Sequence, residues 1–286
     1  MSLLQRFSGR ESDIGFPVRR LLPNHAVRHV GPFIFLDHMG PAHFVAHGTA
    51  GDVRPHPHIG LATVTYLFSG ALLHRDSLGS VQRIEPGAVN LMTAGRGIVH
   101  SERIPQDIRL GGLAVEGIQM WLALPTALEE CEPAFLHAGA ETLPQRQQDG
   151  VTLRLLMGDG WGLHSPVPFA SPIIYAAAEL QRGATLGFSA NYTERAVYVA
   201  SGALEIDGEP LHAGELGVLA AGSEVKLLAE DASRIMLLGG EPPDGPRYLD
   251  WNFVSSRRER LTQARDDWQH GRFVAVPGET EFIPLP

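Results

Sequence analysis

Two short groups of metal-binding side chains mark the first half of the sequence, His56-Pro57-His58 and His100-Ser101-Glu102. In each group, one residue separates the two potential ligands. Successive side chains of a β-strand point to opposite faces, so residues two apart share a face. If each group lies on a strand, both of its ligands therefore point the same way. Three imidazoles and one carboxylate that converge on a point form a metal site.

Short strands are the elements that would bring the two groups together. Residues 63–68 are β-branched or aromatic apart from one leucine, and a glycine turn follows them. Strands separated by turns at intervals of about 8–12 residues indicate a sandwich or barrel. Neighbouring strands of a barrel direct alternate side chains inward, which places both groups around one centre. A buried glutamate is costly unless it is paired or binds a metal, so Glu102 favours a metal site over chance spacing among the 13 histidines.

The second half of the chain repeats parts of the first. Residues 66–70, Tyr-Leu-Phe-Ser-Gly, match 198–202, Tyr-Val-Ala-Ser-Gly, and 87–95 match 214–222. Both matches have an offset of about 130 residues, far longer than the period of a solenoid. Two copies of one β-domain explain them. When the offsets are applied without gaps, the four candidate ligands fall on Phe188, Ala190, Leu227 and Ala229. The second copy is therefore predicted to be apolar, with a single metal site per chain.

The C-terminal segment has a helical pattern instead. Ser256 and Glu259 have the spacing of a capping box, and Gly271 can end a helix. Between them, the apolar residues recur at helical spacing: Leu261, Ala264 and Trp268. We predict a short helix over residues 256–270, followed by a proline-bounded apolar tail that docks on the body of the protein.

Composition excludes several classes of protein. The net charge of -9 argues against nucleic-acid binding, which needs a basic surface. The chain has one cysteine, Cys131, so it cannot form an intrachain disulfide, which favours a reducing compartment. It lacks the apolar run of a signal peptide and any stretch of about 18 uncharged apolar residues. We expect a cytoplasmic monomer that binds neither nucleic acid nor membrane.

The donor set limits the metal but does not choose it. Imidazole and carboxylate ligands suit Fe(II), Mn(II), Ni(II) or Zn(II) better than Cu(I). Four protein ligands on an octahedral ion leave two positions for water, O₂ or a chelating substrate. A closed tetrahedral zinc site leaves none. Both geometries are compatible with the sequence.

Longer motifs around the two groups resemble the pirin family. They are His-Pro-His at 56–58, Thr-Val-Thr-Tyr at 63–66, Asp-Ser-Leu-Gly at 76–79 and Met-Thr-Ala-Gly-Arg-Gly-Ile-Val-His-Ser-Glu at 92–102. The tail segments 251–256 and 282–286 also resemble the family. The resemblance implies an all-β fold of two cupin (jelly-roll-type) barrels in one chain, with the short C-terminal helix. We place the metal-bearing domain at residues 1–130 and the domain without ligands, helix and tail included, at 131–286.

By this resemblance, one iron ion is bound by His56, His58, His100 and Glu102, with Mn, Ni or Zn as alternatives. The chain departs from the family's pattern at two places near the site. Ile59 stands where an arginine often follows His-Pro-His, and Asn90-Leu91 stand where Gln-Trp often precedes Met-Thr-Ala-Gly. These changes leave the ligands unaltered and bear on the pocket and the substrate.

Three functions follow as expectations. Some bacterial pirins are similar to quercetin 2,3-dioxygenases, which implies a metal-dependent dioxygenase that acts with O₂ on a flavonol such as quercetin or a similar small aromatic. Glu102 would be both ligand and the catalytic base that removes the 3-hydroxyl proton. The alternative is a non-catalytic, redox-responsive iron protein that binds a partner, either a transcription factor or a metabolic enzyme. A third expectation is a different small-molecule reaction, because one fold hosts many activities.

The remaining candidates are less specific. His74 either supports a ligand from inside the barrel or lies on the surface. His38, His43 and His47 are predicted to lie in loops. Cys131 stands among glutamates, whose charge raises a thiol pKa, so it is predicted to be a poor nucleophile.

Overall fold

The computed structural model describes residues 2–286 and is built almost entirely of β-strands. In chain order the strands are β1 (Leu3–Ser8), β2 (Arg10–Asp13), β3 (Pro17–Leu22), β4 (Phe33–Ala42), β5 (Val53–His58), β6 (Leu61–Ser69), β7 (Leu72–Asp76), β8 (Val81–Ile84), β9 (Val89–Thr93), β10 (Ile98–Arg103), β11 (Val115–Ala123), β12 (Ala134–Ala138), β13 (Gln145–Gln148), β14 (Val151–Gly160), β15 (Leu163–His164), β16 (Ile173–Leu180), β17 (Thr185–Phe188), β18 (Glu194–Ser201), β19 (Ala203–Ile206), β20 (Glu209–His212), β21 (Glu215–Leu219), β22 (Val225–Ala229), β23 (Ser233–Gly240), β24 (Tyr248–Asp250) and β25 (Phe253–Ser255). The helices are α1 (Gln106–Gly111) and α2 (Arg258–Gln269), with a 3-10 helix at Thr126–Leu128. The predicted all-β class with a short C-terminal helix is confirmed.

The chain divides into two compact units. The first, here called the apolar unit, comprises the chain up to Glu11 together with Arg19–Asp37 and Glu141–Pro242. The second, the histidine unit, comprises Ser12–Val18, His38–Ala140 and Pro243–Pro286. The C-terminal segment thus groups with the two histidine groups rather than with the other unit. The domain boundary between residues 130 and 131 stays a prediction.

In the histidine unit, two antiparallel sheets face each other. One has the strand order β5-β10-β7-β8, and the other contains the run β12-β9-β6-β11-β4. Contacts join their inner faces, since Trp121 of β11 meets His58 of β5 with ring centroids 5.1 Å apart. Phe135 of β12 likewise stacks on His74 of β7, at 4.3 Å between ring centroids. Side chains of β5, β7 and β10 that point inward are therefore enclosed between the sheets.

The apolar unit repeats this arrangement with a different interior. Its sheets have the strand orders β1-β21-β18-β23-β16-β14-β13 and β17-β22-β19-β20. Side chains from both sheets form one buried apolar cluster, which includes Leu186, Phe188 and Leu227. Burial of this apolar surface is the main favourable term for the unit's folding.

Strand pairing corrects the predicted correspondence between the two halves. In the histidine unit, His56 pairs with His100 and His58 with Ile98. In the apolar unit, Leu186 pairs with Leu227 and Phe188 with Val225. If Leu227 corresponds to His100, His56 therefore corresponds to Leu186, not to Phe188. The offset used for His56 and His58 was therefore two residues too long. The positions that it matched to the four candidate ligands are nevertheless apolar, as predicted.

One prediction about a loop is wrong. His38 was expected in a loop, yet it lies in β4, is buried, and its Nε2 is 3.2 Å from Glu116 Oε1. Strand β4 continues beyond His38 through Gly40-Pro41 to Ala42.

The C-terminal helix forms at the predicted place without the predicted cap. Arg257 is its N-cap residue and makes no side-chain capping bond. The Ser256 hydroxyl instead donates to Glu129, at 2.8 Å. The buried residues Leu261 and Ala264 pack in one apolar cluster with Phe253 of β25. No helix among residues 2–286 is long and apolar enough to cross a membrane.

Candidate metal centre

Three histidines from two neighbouring strands converge inside the histidine unit. His56 and His58 share one face of β5, and His100 lies opposite His56 on β10. One ring nitrogen of each lies within 4.8 Å of the other two, and all three residues are buried. Their ring centroids are 5.0 Å (His56–His58), 4.4 Å (His56–His100) and 5.1 Å (His58–His100) apart. These three histidines can bind one metal ion, as the sequence predicted for them.

Backbone carbonyls fix the orientation of two of the rings. His56 Nδ1 is 2.9 Å from the carbonyl oxygen of Arg54, and His58 Nδ1 is 3.1 Å from that of Asn252. A carbonyl oxygen only accepts, so Nδ1 must donate in both rings. In a neutral imidazole the lone pair then lies on Nε2, and this arrangement is typical of metal-binding histidines.

The third ring provides the clearest sign that the residues fit a metal. Nε2 of His100 is buried and has no hydrogen-bond partner within residues 2–286. A buried polar atom of this kind is uncommon in folded proteins and calls for an explanation. A metal ion bound by the three Nε2 atoms would supply the missing partner.

Burial keeps the three imidazoles neutral, as metal ligands must be. It lowers the pKa of His56 to about 4. It also lowers the pKa values of His58 and His100 well below the ordinary value, and the neighbouring histidines add to the effect. Neutral rings keep their lone pairs available near pH 7.

Glu102 lies on the same face of β10, two residues beyond His100, and is buried. A register shift in the pairing with β5 occurs between His100 and Glu102. Among residues 2–286, the three histidines form the one group of metal-ligating side chains whose ligand atoms lie within 4.8 Å of one another, and Glu102 is not part of that group. Burial raises the pKa of the Glu102 carboxyl, opposed by the nearby His74 and by a hydrogen bond with Thr65. Its role as fourth ligand therefore stays a prediction.

The opposite wall of the interior carries a row of polar side chains across four strands. In register, His137 pairs with Asn90, Asn90 with Thr65, and Thr65 with Gln119. His137 Nδ1 is 2.7 Å from Asn90 Oδ1, and the Thr65 hydroxyl donates to Gln119 Oε1 at 2.7 Å. We call His137, Asn90, Thr65 and Gln119 the polar row.

The polar row faces the histidines. Gln119 and His137 are each two residues from a side chain that meets the opposite sheet, Trp121 and Phe135 respectively. Residues two apart on a strand share a face, so the row points into the same interior. Asn90, one of the two departures from the family pattern, thus lies on the wall of the site.

Several contributors to the site could not be found by motif. Asn252 is 194 residues away from His58 in sequence, and only its backbone oxygen takes part. Trp121 is buried, and its ring centroid lies 5.1 Å from that of His58, a contact that no sequence pattern indicates. Cys131 lies outside the site, and burial raises the pKa of its thiol with a further contribution from Glu132. The prediction of a poor nucleophile agrees with that direction.

Fold and site together define a two-barrel protein of the cupin class, with a cluster of three buried histidines that can bind a metal ion. The family model "Pirin" matches residues 15–122 of the chain, and the model "Pirin C-terminal cupin domain" matches residues 175–274. The chain belongs to the pirin family, as its motifs indicated.

Similar proteins span nearly its whole length. A pirin-like protein from Caulobacter vibrioides is 50% identical over 285 residues, which cover 98% of each chain. A crystal structure of quercetin 2,3-dioxygenase from Acinetobacter baumannii is 33% identical, with a TM-score of 0.91 over 99% of this chain and 95% of that one. A second quercetin 2,3-dioxygenase structure from the same organism is 25% identical, with a TM-score of 0.88 over 95% of this chain and 98% of the other.

Proposed function

We propose that this protein is a metal-dependent dioxygenase that uses O₂ to cleave a flavonol such as quercetin or a similar small hydroxylated aromatic. The observation that carries the proposal is the convergence of His56, His58 and His100 in a buried interior that also holds Glu102. The two Acinetobacter proteins add support, because both are quercetin 2,3-dioxygenases and their structures are similar to this one over almost the whole chain.

We propose Fe(II) as the metal, held by the three histidines and Glu102, with Mn, Ni and Zn as alternatives. Nitrogen and carboxylate donors suit all four ions. When bound, the metal supplies Lewis acidity and a route for electrons between the substrate and O₂. The neutral imidazoles, oriented through Nδ1, present their Nε2 lone pairs without a competing proton.

Glu102 is the proposed proton acceptor. Burial raises the pKa of this carboxyl, which makes its ionised form a stronger base toward the 3-hydroxyl of a flavonol. The positive charge of a metal favours the ionised form that can act as base. The carboxylate would hold the proton while the ring is cleaved and return it to the product.

The polar row would orient the substrate. Thr65 and Asn90 lie opposite the histidines and offer hydroxyl and amide groups to the hydroxyls of a polyhydroxylated ring. Trp121 lies beside His58 and offers an aromatic surface on which a flat ring can stack. Because Asn90 replaces the glutamine that the family often has, we expect its shorter side chain to alter which ring substituents are accepted.

The test is the bleaching of quercetin absorbance by iron-loaded protein in air. We expect turnover by the loaded wild type, none after chelation, and none for His56→Ala. His164→Ala is the matched control, since His164 is 79% exposed in the apolar unit and should leave the rate unchanged. Iron-loaded, folded wild type that leaves quercetin and related flavonols intact would refute the proposed substrate.

The alternative, a redox-responsive iron protein that binds a partner, predicts a different result in the same assay. Such a protein would bind iron at the three histidines but consume no O₂ with any flavonol. Its iron would change oxidation state without loss of a substrate. Capture of a specific partner by one oxidation state only would then be the supporting result.

A further inference from the structure

A buried histidine that is not among the proposed metal ligands lies behind His100. His74 is on β7, in register with Glu102, and is 4% exposed. Its Nε2 is 3.1 Å from Oδ2 of Asp76, which is fully buried. The other ring nitrogen faces the metal centre, since Nδ1 of His74 is 3.4 Å from Nδ1 of His100. The three residues thus form a chain that ends at a ligand.

Asp76 is held as a hydrogen-bond acceptor. Its Oδ1 accepts the backbone N–H groups of Leu78 at 2.9 Å and Ser80 at 3.0 Å. Burial alone would raise the pKa of Asp76, but hydrogen bonds with His74 and Ser80 lower it below its ordinary value. An ionised carboxylate can only accept, so Nε2 of His74 must carry the hydrogen that it shares with Oδ2.

This arrangement fixes the tautomer of His100. A neutral His74 with its hydrogen on Nε2 has its lone pair on Nδ1, where it can accept. Nδ1 of His100 must then be the donor across the 3.4 Å separation, which is at the long end of hydrogen bonding. The lone pair of His100 is consequently on Nε2, the buried atom without a partner in residues 2–286.

We propose that His74 and Asp76 are positioning residues that hold His100 in its metal-binding tautomer. They would do for His100 what the carbonyls of Arg54 and Asn252 do for the other two rings. Phe135 stacks on His74 with an interplanar angle of 15°, which restrains the supporting ring from rotating. The inference rests on His100 as a metal ligand, as in the proposed function. Supporting contacts of this kind typically change metal affinity by about 10–100-fold.

Asp76→Asn is the sharpest test because it reverses the chain of donors. The two backbone N–H groups would still require an oxygen, so the new amide nitrogen would face His74 and donate to it. His74 would then carry its hydrogen on Nδ1, opposite the N–H of His100. Relief of this clash moves the hydrogen of His100 to Nε2 and blocks the ligand atom.

Two measurements read out the effect. Long-range ¹⁵N–¹H NMR of the metal-free protein should show the hydrogen of His100 on Nδ1 in wild type and on Nε2 in Asp76→Asn. Competition with a chelator for Co(II) should show affinity lower by about 10–100-fold in Asp76→Asn and in His74→Phe, which keeps an aromatic ring for Phe135 but removes the acceptor. Asp37→Asn, a buried carboxylate of the apolar unit, is the control and should leave both readouts unchanged.

The outcomes separate this inference from the proposed function. If wild type binds Co(II) and the two variants bind it equally well with the same tautomer of His100, the positioning role is overturned. If the tautomer changes as expected but wild type does not bind a metal at the histidines, the proposed function fails instead. Should Asp76→Asn not fold, the wild-type spectrum decides, because a hydrogen on Nε2 of His100 in metal-free wild type contradicts the inference.

Discussion

His56 lies directly opposite His100 on the neighbouring strand, with their ring centroids 4.4 Å apart. Leu186 and Leu227 hold the same paired positions in the apolar unit. The same strand pair thus carries candidate metal ligands in one unit and a packed apolar core in the other. We therefore expect a substitution in this strand pair of the apolar unit to lower stability and leave metal binding unchanged. A substitution in the corresponding pair of the histidine unit should lower metal affinity.

Leu227→Ala tests the contribution of the apolar unit to stability. Leu227 is fully buried in the apolar cluster, so its truncation leaves a cavity and should cost about 2–5 kcal/mol of unfolding free energy. Denaturant unfolding followed by fluorescence measures the loss. Metal content per folded chain should stay unchanged. A folded variant with its metal lost would show that the apolar unit does more than support the fold.

His58→Ala tests the contribution of the histidine unit to metal binding. Removal of a ligand should lower metal affinity by more than the roughly 10–100-fold that loss of a supporting contact costs. Elemental analysis of protein equilibrated with buffered metal measures the change. The control is His164→Ala, in which an exposed histidine is removed. Equal metal content in the two variants would place the metal elsewhere.

The outer face of β10 ties the ligand strand to the C-terminal tail. The buried Ser101 hydroxyl donates to Glu279 at 2.6 Å, and Arg103 donates to Glu279 and to Glu281. Glu279→Ala leaves Ser101 without its acceptor and should cost about 1–3 kcal/mol in thermal or urea unfolding. Glu281 is 52% exposed, so Glu281→Ala should cost only about 0–1 kcal/mol. Equal losses for the two variants would contradict the assignment of Glu279 as the anchor.

A partly exposed pair in the apolar unit should make stability depend on pH. His29 Nδ1 is 3.1 Å from Glu194 Oε2. The hydrogen bond to Glu194 raises the pKa of His29 above 6.5. Burial alone would raise the pKa of Glu194, but the bonds from His29 and Gly31 lower it below 4.5.

The raised pKa of His29 and the lowered pKa of Glu194 determine how stability depends on pH. The contribution of His29 is complete below pH 6.5 and is lost as pH rises through its folded-state pKa, whereas that of Glu194 is complete above pH 4.5 and is lost in acid. The stability difference between wild type and Glu194→Gln should therefore be largest between pH 4.5 and 6.5, at about 0.5 kcal/mol, and should shrink in alkaline buffer. Melting temperatures across this range measure it. A difference that is constant with pH would exclude the ion pair.

Much of the site was accessible from spacing because strands alternate. Two groups of ligands with one residue between partners predicted that His56, His58 and His100 would share an interior, and they do. The predicted helix was also confirmed, since apolar residues at helical spacing packed as expected at Leu261 and Ala264. Both predictions depend only on the spacing of residues that are close together in the sequence.

Long-range contacts were not accessible in this way. The partner of His58 is a backbone oxygen at Asn252, and a backbone atom leaves no mark in residue type. The register of β17 against β22 depends on loop lengths. The ungapped comparison of the two halves therefore matched His56 with Phe188 instead of Leu186. His74 and Asp76 did carry a signal, since they are two apart on a strand beside the ligands, but only the packing of Phe135 showed which way they point.

The most direct test of the proposed function is O₂ consumption by protein of known metal content, measured with an oxygen electrode while quercetin is added in limiting portions. The proposal predicts one O₂ consumed per quercetin lost, at a rate that rises in proportion to bound iron up to one ion per chain. Protein that holds one iron at His56, His58 and His100 yet shows no flavonol-dependent uptake would contradict it.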